Sequence, residues 1–74
     1  MTKIKITNPG GPTPQKRDLL QQILFDSDIR LLRLINAHDG YYTILQNNEQ
    51  AERLFTDTVK DRLSSHGFTP LLPL

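Results

Sequence analysis

The 74-residue sequence predicts one small α+β domain with the element order strand, helix, strand, strand, helix, strand. Three observations support this prediction. Residues 2–7 alternate polar and apolar side chains with period two, which is typical of a half-buried strand. Two later segments, about 14–25 and 49–65, carry apolar residues at helical spacing. Between them, an Asp39-Gly40 pair follows a β-rich run and precedes another, and such pairs favour hairpins.

The first strand, about residues 2–7, has one apolar and one polar face. Ile4 and Ile6 should point into the core, because they alternate with polar residues. The outward residues are Lys3, Lys5 and Thr7.

The first helix, about residues 14–25, follows a loop of glycines and prolines that breaks regular structure. Thr13 can cap this helix, and Pro14 suits its first position. Turn-forming residues 25–28 end it. Its apolar stripe consists of Leu19, Leu20, Ile23 and Leu24.

The second strand, about residues 29–35, has an ambiguous facing. An outward Arg33 also exposes three apolar residues, whereas an outward Arg30 exposes two. Either choice leaves apolar side chains on the open face, unless a β-bulge shifts the register. Such exposure is typical of a surface that has a partner. The exposed residues would be Ile29, Leu31 and Ile35 in the first case, and Leu32 and Leu34 in the second.

The remaining elements are a third strand at about 41–46, a second helix at about 49–65 and a last strand at about 68–72. Asn48 is the predicted cap of this helix, and Gly67 its left-handed end. The helix should bury Ala51, Leu54, Phe55, Val59 and Leu63. In the third strand, Tyr42 and Ile44 share one face, and Tyr41, Thr43 and Leu45 share the other. Two prolines make the last strand an edge strand.

These elements assemble as a two-layer structure with both helices on one face of a four-stranded antiparallel sheet. Right-handed crossovers and the hairpin give the spatial order 4-1-3-2, with the first and third strands at the centre. This is the ferredoxin-like, or split βαβ, arrangement. The other face of the sheet is open to water, and we expect the function to lie there.

Composition narrows the possible functions. The chain has no Cys, so disulfides and thiolate metal sites are excluded. Its apolar runs are shorter than the ~20 residues of a membrane span, and its first residues lack a signal-peptide pattern. We therefore expect a cytoplasmic or nuclear protein. The net charge is +1, divided into +3 for residues 1–37 and −2 for residues 38–74.

The basic bias suggests a surface for single-stranded nucleic acid. Lysines of the first strand should stand beside the third strand, with an arginine of the second strand joining them. Cations bind phosphates, and an aromatic ring stacks on bases. The predicted nucleic-acid-binding residues are Lys3, Lys5, Arg30, Arg33, Tyr41 and Thr43.

In length and element order, the whole chain resembles an RNA-recognition motif. The third strand of that family carries a basic residue, a glycine, an aromatic, a small residue and a second aromatic. The corresponding run here is DGYYT, in which Gly40 and Tyr41 match, Asp39 replaces the basic residue and Thr43 replaces the second aromatic. In the first strand, Lys5 replaces the family's exposed aromatic. The resemblance implies binding of single-stranded RNA or DNA, with Tyr41 as its stacking residue.

A narrower resemblance concerns the second half of the chain. The Asp-Gly hairpin followed by NNEQAERLF and GFTPLLP is similar to RNA-recognition-like domains in Gag-like proteins of non-long-terminal-repeat retrotransposons. Such domains adjoin zinc knuckles or coiled coils. This resemblance implies one domain of a longer protein.

Catalytic chemistry finds little support in the sequence. His38 and His66 lie in a turn and at a helix end, which is no recognisable metal-site spacing. The Gly10-Gly11 loop lacks the Lys-Ser/Thr of a phosphate-binding loop. Acylphosphatases share the predicted fold, but the first loop here has no Arg for their chemistry. We therefore expect a non-catalytic domain without a cofactor.

The alternative function is protein interaction or self-association with the same fold. It rests on the predicted edge strand and on apolar residues expected at the surface. These residues are Leu31, Leu32, Leu45, Leu71 and Leu74.

Overall fold

The computed structural model of the protein describes residues 2–45 and 53–71. Within these residues, the strands form an antiparallel sheet in the order β2-β3-β1-β4, and two helices complete the α+β architecture. The predicted ferredoxin-like arrangement with strand order 4-1-3-2 is confirmed. In chain order, the elements are β1 (Thr2–Thr7), α1 (Pro14–Asp26), β2 (Leu31–Ala37), β3 (Gly40–Leu45), α2 (Asp57–Ser65) and β4 (Thr69–Leu71).

Local hydrogen bonds fix both ends of α1. At its start, the Thr13 hydroxyl accepts a hydrogen bond from the Lys16 N–H at 3.1 Å, as the sequence predicts. At its end, Asp28 adopts a left-handed conformation with φ +63°, and the Ile29 N–H donates to the Leu24 carbonyl at 2.8 Å. This closing turn directs Ile29 into the core and sets the position at which β2 begins.

The predicted second helix, 49–65, is interrupted. Arg53 and Leu54 are helical, Phe55 and Thr56 are not, and a separate helix, α2, follows. It begins at Asp57, because Thr56 has an extended backbone (φ −73°, ψ 168°) and its hydroxyl caps the helix by accepting from the Val59 N–H at 3.3 Å. The apolar stripe continues through Leu54 and Phe55, which made one long helix plausible from spacing alone. The predicted cap Asn48 and the predicted helical residues 49–52 lie outside the described residues.

The end of α2 follows the prediction. Gly67 has φ +87°, and the Phe68 N–H donates to the Leu63 carbonyl at 2.9 Å. This pattern is a Schellman motif, in which a left-handed residue lets the chain reverse and satisfies the last carbonyls. It buries Phe68 completely and leads directly into β4. β4 pairs with β1 and lies at the sheet edge, whereas residue 72 of the predicted strand lies outside the described residues.

The core lies between the sheet and the two helices. Both helices contribute to the same buried cluster as the inward residues of β1 and β3, so they cover one sheet face and leave the other open. The buried apolar residues are Ile4, Ile6, Leu20, Ile23, Leu24, Ile29, Tyr41, Leu45, Phe55, Val59, Leu63 and Phe68.

A shift in register resolves the facing of β2. The ladder with β3 skips one residue between Leu31 and Arg33, so Leu32 is the extra residue of a β-bulge. The bulge lets Leu31 and Leu34 both pack against the core while Arg33 remains exposed. A regular strand could not have achieved this, because residues three apart point to opposite faces.

Gly40 lies pressed against β1 at the start of β3. A Cβ at this position would overlap the carbonyl oxygen of Ile6 and lie 2.7 Å from the Cα of Thr7. Both are backbone atoms of a central strand, so they cannot move without disturbing the ladder. Only glycine therefore permits β3 to approach β1 so closely here.

We expect Gly40→Ala to lower the free energy of unfolding by about 3 kcal/mol or more, because it forces backbone apart in the sheet centre. Gly10→Ala is the matched control. Its Cβ would meet nothing within 4 Å, and only its φ of +87° carries a cost, of about 1–2 kcal/mol. Urea denaturation followed by circular dichroism measures both, and equal losses would contradict the prediction.

Candidate nucleic-acid interface

The strand ladders define which side chains share the open sheet face, since directly opposed residues lie on the same face. Two neighbouring rows cross the sheet there. One row is Arg33, Ile44 and Lys3, and the next is Ile35, Tyr42, Lys5 and Leu71. We call these residues the open-face patch.

Tyr42 occupies the middle of the open-face patch. The Lys3 Nζ lies 4.1 Å from the centroid of its ring, and the Lys5 Nζ lies 5.5 Å from it. Both distances are within the range of cation–π attraction. The ring is half-buried, with part of its surface accessible. The structure thus combines an aromatic ring with two ammonium groups on β1 and β3, the central strands.

An ion pair lies at one side of the patch. The Lys5 Nζ is 2.8 Å from the Asp39 carboxylate, which belongs to the turn between β2 and β3. The hydrogen bond from Lys5 lowers the pKa of the Asp39 carboxyl, and the same bond raises the pKa of Lys5. In each case desolvation opposes the shift. Lys5 is therefore a protonated cation whose charge the Asp39 carboxylate balances, whereas Lys3 lies closer to the Tyr42 ring.

Tyr41 was predicted on the open face, and this placement is wrong. Its side chain is completely buried, and its ring meets the Phe68 ring edge-on with centroids 6.3 Å apart. Its hydroxyl accepts from the Thr13 N–H at 3.2 Å and lies 3.3 Å from the Thr13 carbonyl oxygen. Tyr41 thus anchors the start of α1 to the sheet.

Thr43 was also predicted on the open face, and it too is completely buried. Its hydroxyl donates to the Ile4 carbonyl at 2.9 Å. The physical reason is the β1–β3 register, which pairs Ile4 with Thr43 and Ile6 with Tyr41. Both β3 residues therefore follow the isoleucines into the core.

The two predicted arginines separate. Arg33 is exposed on the open face opposite Ile44, in the row of Lys3. Arg30 precedes β2 and instead lines a depression of about 580 Å³ together with α1 residues such as Gln22 and Phe25. Of the predicted site residues, the structure brings together Lys3, Lys5 and Arg33.

The aromatic residue of this surface, Tyr42, was missed as a site residue. Each face of β3 carries a tyrosine and an aliphatic residue, so alternation within that strand gives no preference for burying Tyr41 or Tyr42. The missing information was the β1–β3 register. The inward facing of Ile4 and Ile6 would have identified Tyr42 once that register was known.

A second depression, of about 510 Å³, adjoins the patch where the loops meet. The loop after β1, the β2–β3 turn and the start of β4 line it, and Asp39 lies on its wall. Asn8 also lines it, and the side-chain amide of Asn8 donates to the Gly11 carbonyl at 2.8 Å. The Lys5–Asp39 pair therefore links the open-face patch to this depression.

Comparison of the chain with protein-family models, with curated proteins and with solved structures finds no match in any of the three. Within residues 2–45 and 53–71, no helix has the length and apolar character to cross a membrane. The same residues contain no cluster of three or more His, Cys, Asp or Glu side chains arranged to hold a metal ion.

We expect the two neighbouring tyrosines to respond differently to truncation. Tyr41→Ala should lower the free energy of unfolding by about 3–5 kcal/mol, because it opens a cavity under α1. Tyr42→Ala should lower it by less than about 1 kcal/mol, because its ring lies on the surface. Urea denaturation of both variants measures this contrast, and a larger loss for Tyr42→Ala would show that the β3 facing described above is incorrect.

The Lys5–Asp39 pair should be visible in a pH titration followed by NMR of the side-chain carboxyl carbons. Asp39 should titrate below its usual range, and Lys5→Gln should raise its pKa, because the hydrogen bond from Lys5 is the main cause of the shift. Since the folded-state pKa of Asp39 is lowered, the stabilisation it gives is complete above the unfolded-state pKa and disappears as the pH falls through the folded value.

Lys60→Gln, on α2, is the matched control for this titration and should leave the Asp39 curve unchanged. An Asp39 curve that Lys5→Gln also fails to move would mean that the ion pair is not formed in solution.

Proposed function

We propose that this domain is a non-catalytic module that binds single-stranded RNA or DNA through the open-face patch. The observation that carries the proposal is the half-buried Tyr42 ring with two lysine ammonium groups within 5.5 Å of its centroid. Single-stranded nucleic acid is bound by this combination, since aromatic rings stack on bases while cations follow the backbone.

The charge of the surrounding surface supports the proposal. Lys3, Lys5 and Arg33 provide three cations across β1 and β2, and the described strands contain no Asp or Glu. A phosphate backbone that crosses the central strands would therefore meet positive charge over the sheet. Asp39, in the adjoining turn, is the negative charge that faces Lys5.

The contact between Lys3 and Tyr42 suggests how a base would be accommodated. A base that stacks on Tyr42 takes the place of the Lys3 ammonium over the ring. The long side chain of Lys3 can then turn to a neighbouring phosphate, so its ammonium group exchanges the contact with the ring for an ion pair. The half-buried Ile35 and Ile44 beside the ring provide apolar surface for the sugar and the base edge.

The proposal includes the origin that the sequence resemblances imply. We infer an RNA-recognition-motif-like domain, of the kind found in Gag-like retrotransposon proteins, in the cytoplasm or nucleus. Its stacking residue would be Tyr42, one position after the residue that the family pattern indicates. Lys5, which replaces the family's exposed aromatic in the first strand, is paired directly opposite Tyr42.

A second candidate function is protein interaction at the β2 edge of the sheet. Phe25 is 74% exposed and Leu32 is 53% exposed, and Phe25 lines the depression beside α1. Large apolar side chains exposed next to an edge strand favour a protein partner or self-association. Phe25 belongs to α1, in the helix layer, so a substitution there tests this function without changing the open-face patch.

Fluorescence anisotropy with labelled single-stranded RNA and DNA oligomers of about 10 nucleotides tests nucleic-acid binding. We expect binding at ~50 mM salt that weakens steeply toward ~200 mM, because bound phosphates release counterions. Tyr42→Leu should weaken it by roughly 5- to 150-fold, which corresponds to the ~1–3 kcal/mol of one stacked base. Lys3→Gln should weaken it and flatten its salt dependence.

The matched control is Lys60→Gln, which removes the same charge from α2 on the other side of the sheet. It should change the affinity much less than Lys3→Gln. Wild-type protein that binds neither oligomer at ~50 mM salt would refute the proposal. Sedimentation of the same samples would then show whether the protein self-associates.

A further inference from the structure

We propose that Asp39 sets the affinity of the nucleic-acid site, because its carboxylate occupies the position on Lys5 that a backbone phosphate takes in the complex. This inference rests on the proposed function and deepens it. It identifies an anionic group of the chain itself that competes with the ligand.

The geometry places the carboxylate where an incoming phosphate would bind. Asp39 Oδ1 lies 2.8 Å from the Lys5 Nζ, a distance typical of a charge-assisted hydrogen bond. The pair stands at the boundary between the open-face patch and the depression at the loops. A strand that stacks a base on Tyr42 brings its adjoining phosphate to Lys5, because Lys5 is the direct cross-strand neighbour of Tyr42.

The pair is open to exchange. The Lys5 side chain is 29% exposed and that of Asp39 is 53% exposed, so a phosphate oxygen can reach the ammonium group from solvent. Solvent-exposed ion pairs are weak, since water and salt screen both partners. A phosphate can therefore displace the carboxylate, but the binding it gains is reduced by the ion pair it replaces.

Two consequences follow for the ligand. In the wild-type protein, the Lys5 contact adds little to the net release of counterions from the nucleic acid, because the Asp39 carboxylate that the phosphate displaces becomes a free anion and attracts cations in turn. The salt dependence then reports mainly Lys3 and Arg33. Affinity depends correspondingly more on base stacking at Tyr42, which favours unpaired bases over a phosphate-rich duplex.

Asp39→Asn tests this inference in the anisotropy assay, because it removes the charge and keeps an oxygen that can serve the turn. We expect the plot of log affinity against log salt to steepen by about 0.7, the contribution of one additional phosphate on a single strand. If the electrostatic contribution vanishes near ~1 M salt, this slope corresponds to about fivefold tighter binding at ~0.1 M.

Asp61→Asn, on α2, is the matched control and changes the net charge by the same amount away from the open face. It should leave the slope nearly unchanged. In the double variant Lys5→Gln/Asp39→Asn the gain should disappear, because the cation that Asp39 masks is then absent. Asp39→Ser, another residue common in turns, provides a second substitution if Asn disturbs the hairpin.

The outcomes separate this inference from the proposed function. Steeper and tighter binding by Asp39→Asn than by the wild-type protein, which disappears when Lys5 is also replaced, supports the competition. Binding by wild type and Asp39→Asn with the same affinity and slope overturns the role of Asp39 and leaves the open-face patch as the site. Absence of binding by every variant at ~50 mM salt overturns both.

Discussion

The antiparallel pairing of β1 with β3 is the interaction on which the rest of the structure depends. It places Ile4 opposite Thr43 and Ile6 opposite Tyr41, so one set of side chains from both strands enters the core. It also places Lys5 opposite Tyr42, which creates the centre of the open-face patch. Gly40 makes this register possible at its tight end, where a larger residue would overlap the backbone of β1. The contact that stabilises the sheet therefore also determines which tyrosine reaches solvent.

This register gives the two neighbouring tyrosines different surroundings, and therefore different roles. The Tyr41 hydroxyl is hydrogen-bonded to Thr13, the cap of α1, and the Tyr41 ring packs against Phe68. A buried Tyr needs such a hydrogen-bond partner, and the start of the helix provides one. Tyr42 has cationic neighbours, Lys3 and Lys5, and no place in the core. One residue is thus structural, while its neighbour is available for a ligand.

Most of the fold could be predicted from the sequence, because the deciding signals are local. The alternation in β1, the Thr13-Pro14 start of α1 and the left-handed Gly67 each specify their own element. The facing of β3 could not be predicted, since it depends on a register that pairs residues 33 to 43 positions apart in the chain, and each face of β3 carries a tyrosine and an aliphatic residue. The position of the bulge at Leu32 could not be predicted either, since it depends on the pairing of β2 with β3. The sequence therefore predicted correctly that Lys3, Lys5 and Arg33 lie on the open face, and it placed the wrong tyrosine there.

The apolar residues of the open face favour a binding function, because their exposed surface contributes nothing to the stability of the fold. A domain of this size buries only about 60% of the surface of its unfolded chain, so each buried side chain contributes substantially to folding. Ile35 and Ile44 nevertheless lie on the open face, and Leu71 at its edge is 52% exposed. Polar β-formers such as Thr would pair equally well there and would reduce the exposed apolar area. A ligand with flat bases and negative phosphates explains why these apolar residues lie beside Tyr42 and among cations, because its bases would complete their burial.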